Sequence, residues 1–290
     1  MKSSGVKNFI FKFIALFLMS VFAVSFIFIF VWMLCNSFRT AAQFSFEPFA
    51  IFDFSEFTFE NYAQAFAYEV GSRQSGYVNM FGMFLNSLKL IVINVVLSLI
   101  FPPLVGYITA KFDFKLKKLV MLLVIAAMSI PAIGATTSTY KFINDIGLWN
   151  SWFGVILLGS SSLGFGVLLY GNYFASIPWD FAEAAYMDGA GELTVYLKIM
   201  LPQALPIMMS MMIMTIIGSW NDYMTNYLYL PAHPTVAYGV NSIYTQFVKN
   251  GNNYPVAFAV MVFTSGIVLV IYAFFSKTIM SSLSAGGIKG

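Results

Sequence analysis

The stretch Pro178–Pro202, PWDFAEAAYMDGAGELTVYLKIMLP, governs the reading of this chain, because it is a long polar interruption of an otherwise apolar sequence. Pro178 suits the start of a helix, and Asp180 and Glu183 put negative charge near its positive N-terminal end. Ala184 and Ala185 follow with almost no side chain, and Gly189 can take the left-handed conformation that ends a helix. A second helix is predicted from about Glu192 to the residue before Pro202. The expected unit is a short helix, a glycine turn and a second helix, whose small residues let another protein's groove approach closely. An amphipathic connecting loop would have the same outline, so shape alone does not decide between them.

The rest of the 290-residue chain is 59% hydrophobic and 9% charged, with mean hydropathy +0.80. Soluble domains carry about 25% charged residues, so this composition describes a polytopic membrane protein. A net charge of +3 gives no basis for nucleic-acid binding. The single cysteine, Cys35, excludes an internal disulfide, and the single histidine, His233, with no His/Cys cluster, argues against a metal site.

Runs of about 20 apolar residues are needed to cross the hydrocarbon core. Six such runs lie near residues 13–35, 84–110, 118–140, 152–174, 203–228 and 254–276. The first is too long for a signal-peptide core and no small-residue cleavage site follows it, so it is expected to stay as a membrane anchor. Ten Lys residues fall at the N-terminus, the second loop, the 178–202 loop and the tail, against five Lys and Arg on the other side. The richer side is predicted to be cytoplasmic, which puts both termini and the 178–202 loop there. The fold class expected is all-α: six transmembrane helices with a cytoplasmic helix-turn-helix loop at 178–202, in one transmembrane domain spanning residues 1–290.

Between the first two spans, residues 36–82 form an aromatic outer segment. Thr58 is a predicted N-cap there, and Phe59, Tyr62, Ala63 and Phe66 share one helical face. In the second span, Pro102-Pro103 should kink or break the helix, while Asn94 either makes an interhelical hydrogen bond or lines a path. Pro131 and Gly134 interrupt the third span. The fourth places small residues four apart at Ser160/Gly164 and Ser162/Gly166, where helices can approach closely. Methionines 208, 209, 211, 212 and 214 crowd the fifth, as adaptable packing or as a sliding interface. Trp220, Asn221, Asp222 and Tyr223 close that span. Trp220, Asn221, Asp222 and Asn94 are the candidate pathway or gate residues; Asp222, at the span's edge, is a functional candidate if it lies within the membrane and only a solvated interface residue if it does not.

Phosphate-loop, His-Glu-x-x-His and Gly-x-Ser-x-Gly motifs are absent from the sequence, so no catalytic residue, cofactor or metal ligand is expected and the chain is not read as an enzyme. The spacing Glu183-Ala184-Ala185, three residues, Gly189, nine residues, Ile199-x-Leu201-Pro202 resembles the EAA loop of binding-protein-dependent ABC importer permeases. Trp220 to Tyr223 resembles the carbohydrate-uptake branch of that family. The ending Ala285-Gly286-Gly287-Ile288-Lys289-Gly290 looks like the Gly-Ala-Val-Lys-Gly ending of maltose-type permeases, departing from it at Gly287 and Ile288.

The resemblance implies an importer of sugars, with oligosaccharides first. It implies a heterodimeric pore made with a second, related permease, two ATP-binding cassette subunits that hold ATP and Mg, and an extracytoplasmic solute-binding protein. It places the chain, amid membrane lipid, in a prokaryotic plasma membrane. It makes Glu183, Ala184, Ala185, Asp188, Gly189, Leu201 and Pro202 the ATPase-docking residues, and Gly286 and Lys289 ATPase contacts of the tail 281–290. A secondary transporter is the rival mechanism, but paired intramembrane acids and internal repeats are not evident. A non-transporting membrane scaffold is the third class.

Overall fold

The computed structural model describes residues 3–50, 57–72, 76–129, 132–160 and 164–286. Pro131, Ser162 and Lys289 lie outside them. Among the described residues the fold is all-α apart from one small hairpin, in which strand β1 (Val70–Ser72) pairs antiparallel with β2 (Gly76–Val78), Val70 opposite Val78. Three helices among the described residues are long and apolar enough to cross a membrane: Asn8–Asn36, Met80–Lys111 and Tyr254–Ser276. Three further helix pairs pass the same test together, each bent by more than 40° at a short break, so the spans number up to six if each bent pair is one.

The chain divides into two compact units. The first comprises residues 1–68 and 240–267. Its helix α1 (Ser3–Asn36) is exposed over most of residues 8–29 and becomes buried at Cys35 and Asn36. At this end Arg39 is 2% exposed, and its guanidinium donates to Asn36 Oδ1 and to the carbonyls of Gln43, Glu47 and Ala50. Those carbonyls belong to α2 (Ala41–Phe46) and the turn after it, and α2 is opened by a capping box between Thr40 and Gln43. Burying a cation requires such pairing. Trp32, Phe44 and Phe258 close the same region with edge-to-face rings.

Helix α3 (Glu60–Ala67) begins one residue later than a Thr58 cap requires. The Thr58 hydroxyl nevertheless accepts from the Glu60 amide at 3.1 Å. Its buried residues are Asn61 and Ala65, not the aromatic face, because the Asn61 amide donates to the carbonyls of Ser37 and Arg39. Phe59 is left 66% exposed.

The second unit, residues 69–239 and 268–290, is built around α4 (Met80–Lys111). Asn79 caps α4 by accepting from Gly82 N–H at 3.0 Å. The helix runs unbroken through Pro102 and Pro103, both buried, where a break is one of the two sequence expectations. Packing explains this. Pro102 lies against Gly166, where an added Cβ would stand 3.0 Å from the Pro102 Cβ, and Gly106 lies against Tyr170 and Gly171. The neighbouring helix thus clamps the segment that the prolines weaken.

That neighbour is α8 (Gly164–Ser176), the most extensive partner of α4. Around them stand α5 (Lys117–Ser129), α6 (Ala132–Asp145), α7 (Trp152–Ser160), the loop helices α9 (Asp180–Met187), α10 (Glu192–Val195) and α11 (Leu201–Gln203), and α12 (Leu205–Asn221) with α13 (Met224–Tyr229). The third and fourth runs are therefore each two helices, α5 with α6 and α7 with α8. After α14 (Val236–Ile243), α15 (Tyr254–Gly286) continues past the expected span end near 276. No proline interrupts it there and no glycine occurs between Gly266 and Gly286.

Candidate functional site: a helix-turn-helix loop and a polar cavity

Helix α9 ends in a Schellman arrangement. Ala190 N–H donates to the Ala185 carbonyl at 2.9 Å and Gly189 N–H to Tyr186 at 3.0 Å, with Gly189 at φ +81. Glycine is needed at that conformation, as the sequence led us to expect. The helix then turns one face inward. Ala182 and Ala185 are 0% and 8% exposed in a core with Tyr107, Tyr170, Phe174, Tyr196 and Met200. Glu183, Ala184, Asp188 and Gly189 are exposed on the other side. The two alanines of the motif thus have opposite surroundings: Ala185 fits the loop to the membrane helices and Ala184 leaves the outer surface low.

The second arm does not stop before Pro202. Residues Tyr196–Met200 form a π-helical turn, with Leu201 N–H donating to the Tyr196 carbonyl, and the chain stays helical through Gln203. A wider turn accommodates a proline that cannot donate to the preceding turn. Leu201 is half-buried and Pro202 exposed. At Ala204 the chain bends by 75° into α12.

Two contacts tie the arms together and to α4. Tyr186 Oη donates to Glu192 Oε2 at 2.6 Å across the glycine turn. Burial first, and then the Glu192 carboxylate that it faces, push the Tyr186 phenol well above its ordinary value, so it remains a donor at physiological pH. The Tyr186 ring also meets Trp179, which lies beneath the Lys111 ammonium, and Lys111 donates to the Ile177 carbonyl. Sequence reasoning missed this base. Its signal was the seven-residue spacing of Trp179 and Tyr186, two helical turns on one face. It also missed three exposed apolar residues beside the acids: Phe181 at 51%, Met187 at 88% and Leu193 at 68%.

A second feature lies within the same unit. A cavity of about 470 Å³ opens between α4, α7, α8 and α12, and Asn94 and Asp222 both line it. Asn94 Nδ2 donates to Ser219 Oγ at 2.9 Å, so it makes an interhelical bond and lines a cavity at once. Asp222 accepts from the amide and the hydroxyl of Thr225. Trp220 and Asn221 are not among the lining residues: Trp220 is buried edge-to-face against Phe84, and Asn221 donates to the Ile217 carbonyl of its own helix. The tail is represented by Gly286 at the end of α15. No group of three His, Cys, Asp or Glu residues that could hold a metal ion occurs among the described residues.

The family described as "Binding-protein-dependent transport system inner membrane component" matches residues 102–280, which include the whole 178–202 loop. The chain belongs to this family. It is 32% identical over 212 residues to the arabinooligosaccharides transport system permease protein of Bacillus subtilis (strain 168), covering 72% of this chain and 74% of that one. It is 28% identical to the diacetylchitobiose uptake system permease protein of Streptomyces coelicolor, over 88% and 82% of the two chains. Among solved structures, a chain of a bacterial ABC transporter involved in import of the acidic polysaccharide alginate superimposes with TM-score 0.74, at 22% identity, over 92% of this chain and 96% of that one. That likeness shows the fold. The protein is therefore a membrane-embedded inner-membrane component of a binding-protein-dependent transport system.

Proposed function

We propose that this chain is the permease subunit of an ATP-driven importer of oligosaccharides, working as one domain over residues 1–290. The observation that carries the reading is the docking loop: Glu183, Ala184, Asp188 and Gly189 exposed on one side, Ala182 and Ala185 buried on the other. An outer face with little side-chain bulk suits a groove on another protein, and the inner face delivers any push to α4 and α8. Relatives whose names specify arabinooligosaccharides and diacetylchitobiose support the sugar class.

In this reading the chain is not itself an enzyme. A pair of cassette subunits binds ATP and Mg and docks at the loop, through Ala185, Leu201 and Pro202 as supports of that surface. A second permease completes the pore and covers, with lipid, the exposed length of α1. A solute-binding protein delivers sugar from outside a prokaryotic plasma membrane, with both termini in the cytoplasm. The tail, including Gly286 and Lys289, reaches the ATPase. A secondary transporter would not need the loop at all.

Glu183→Lys or Gly189→Val in the complete complex tests this. Sugar uptake should fall at least ten-fold while the chain still reaches the membrane and the binding protein still binds its ligand. Uptake at the unaltered rate in both variants would remove the docking role.

A further inference from the structure

The cavity beside α4 is far larger than the ~30 Å³ share of one water and falls in the range of small-ligand sites, roughly 300–1,000 Å³. Its wall combines hydroxyls and an amide, from Ser98, Asn94, Thr215 and Ser219, with the rings of Phe101 and Phe165. Hydroxyls, an amide and aromatic faces suit a ligand that is polar at its edges and apolar across its ring faces. Charge is the discriminating property. None of the described side chains that line it is basic, and Asp222 is the one acid. Thr225 supplies two donors to Asp222, one to each carboxylate oxygen. An ionised carboxylate accepts at about four positions, so acceptor capacity remains for a ligand in the cavity.

We propose that this cavity is a subsite of the sugar path selective for uncharged glycans, with Asp222 accepting from sugar hydroxyls and excluding uronates and other anionic sugars. The inference rests on the reading of the chain as a sugar permease and adds the charge class of the cargo. A like charge in a partly enclosed site is strengthened by the low local dielectric and has no cation here to offset it. A carboxylate also accepts hydroxyl donors more strongly than a neutral amide does. The fold itself does not set this preference, since a transporter of the same fold is involved in the import of an acidic polysaccharide.

The test reads the cavity's potential directly. In the complete complex carrying Cys35→Ser, Thr215→Cys provides a thiol on the cavity wall. Cationic and anionic methanethiosulfonates of matched size are then compared. With each rate divided by that reagent's rate with a free thiol in the same buffer, the cationic reagent should react at least ten-fold faster; Asp222→Glu should keep that ratio and Asp222→Asn should reduce it to within about three-fold of unity. The Asn side chain retains an oxygen to accept from Thr225 N–H, so the start of α13 is preserved. In parallel, millimolar maltotriose or cellotriose should slow the modification, and oligogalacturonate of the same length should not. Equal rates for the two reagents, a ratio indifferent to Asp222→Asn, stronger protection by the uronate, or a thiol that neither reagent reaches would each overturn the proposal. A complex that shows the expected ratio yet imports no glycan would instead count against the sugar-permease reading, so the two failures are distinguishable.

Discussion

Gly106 shows how little room separates α4 from α8. A Cβ built there would stand 2.8 Å from the Tyr170 Cβ and 2.9 Å from the Gly171 backbone nitrogen, both positions that cannot swing aside. Gly106→Ala should therefore force the two helices apart and destabilise the detergent-solubilised protein by about 1–3 kcal/mol, visible as a lower thermal midpoint. Gly191→Ala, which meets nothing within 4 Å, is the matched control. An unchanged midpoint for Gly106→Ala would show that the contact gives way freely. The sequence pointed to small residues in the fourth span, but not to Gly106 on the facing helix, because a close approach needs two partners and a single chain pattern displays one at a time. Arg39 was illegible for a related reason. Most of its partners are backbone carbonyls, which every residue possesses, so no residue type announces them.

Elements were most legible where breakers and caps act locally. The turn at Gly189 and the start of the second arm at Glu192 fall where the residues specify them, since a Schellman ending depends on a few neighbouring positions. Prolines were harder to read, because their cost depends on what lies beside the helix. Pro102 is absorbed by packing on Gly166, and Pro202 by the wide turn that precedes it. The link between the arms is testable at this scale. Tyr186→Phe keeps the ring against Trp179 and removes the donor to Glu192, a loss of about 1 kcal/mol. Amide exchange over residues 180–195 should then rise on the order of five-fold, the same energy expressed as an opening equilibrium. If exchange is unaltered, the bond does not join the arms in solution.

At the scale of the whole molecule, spans, loops and the family follow from composition and one motif, and an interruption of the third span follows from Pro131 and Gly134, while the bends of the other two pairs do not follow from the sequence. Hydropathy averages over a window and is blind to the direction of a helix axis. Orientation can be measured. In the Cys35→Ser background, a cysteine at Glu69 should be labelled by an impermeant maleimide in intact cells, and one at Lys115 only after the membrane is opened; the reverse pattern would invert the topology. The contacts of Trp179 with the tilted Tyr186 ring and the Lys111 ammonium have an optical corollary. Of the five tryptophans, this one stands at the root of the 178–202 loop, so replacing Trp32, Trp149, Trp152 and Trp220 by phenylalanine leaves a chain whose remaining indole emission arises there. Its colour and lifetime would then report any movement of that loop without an attached dye.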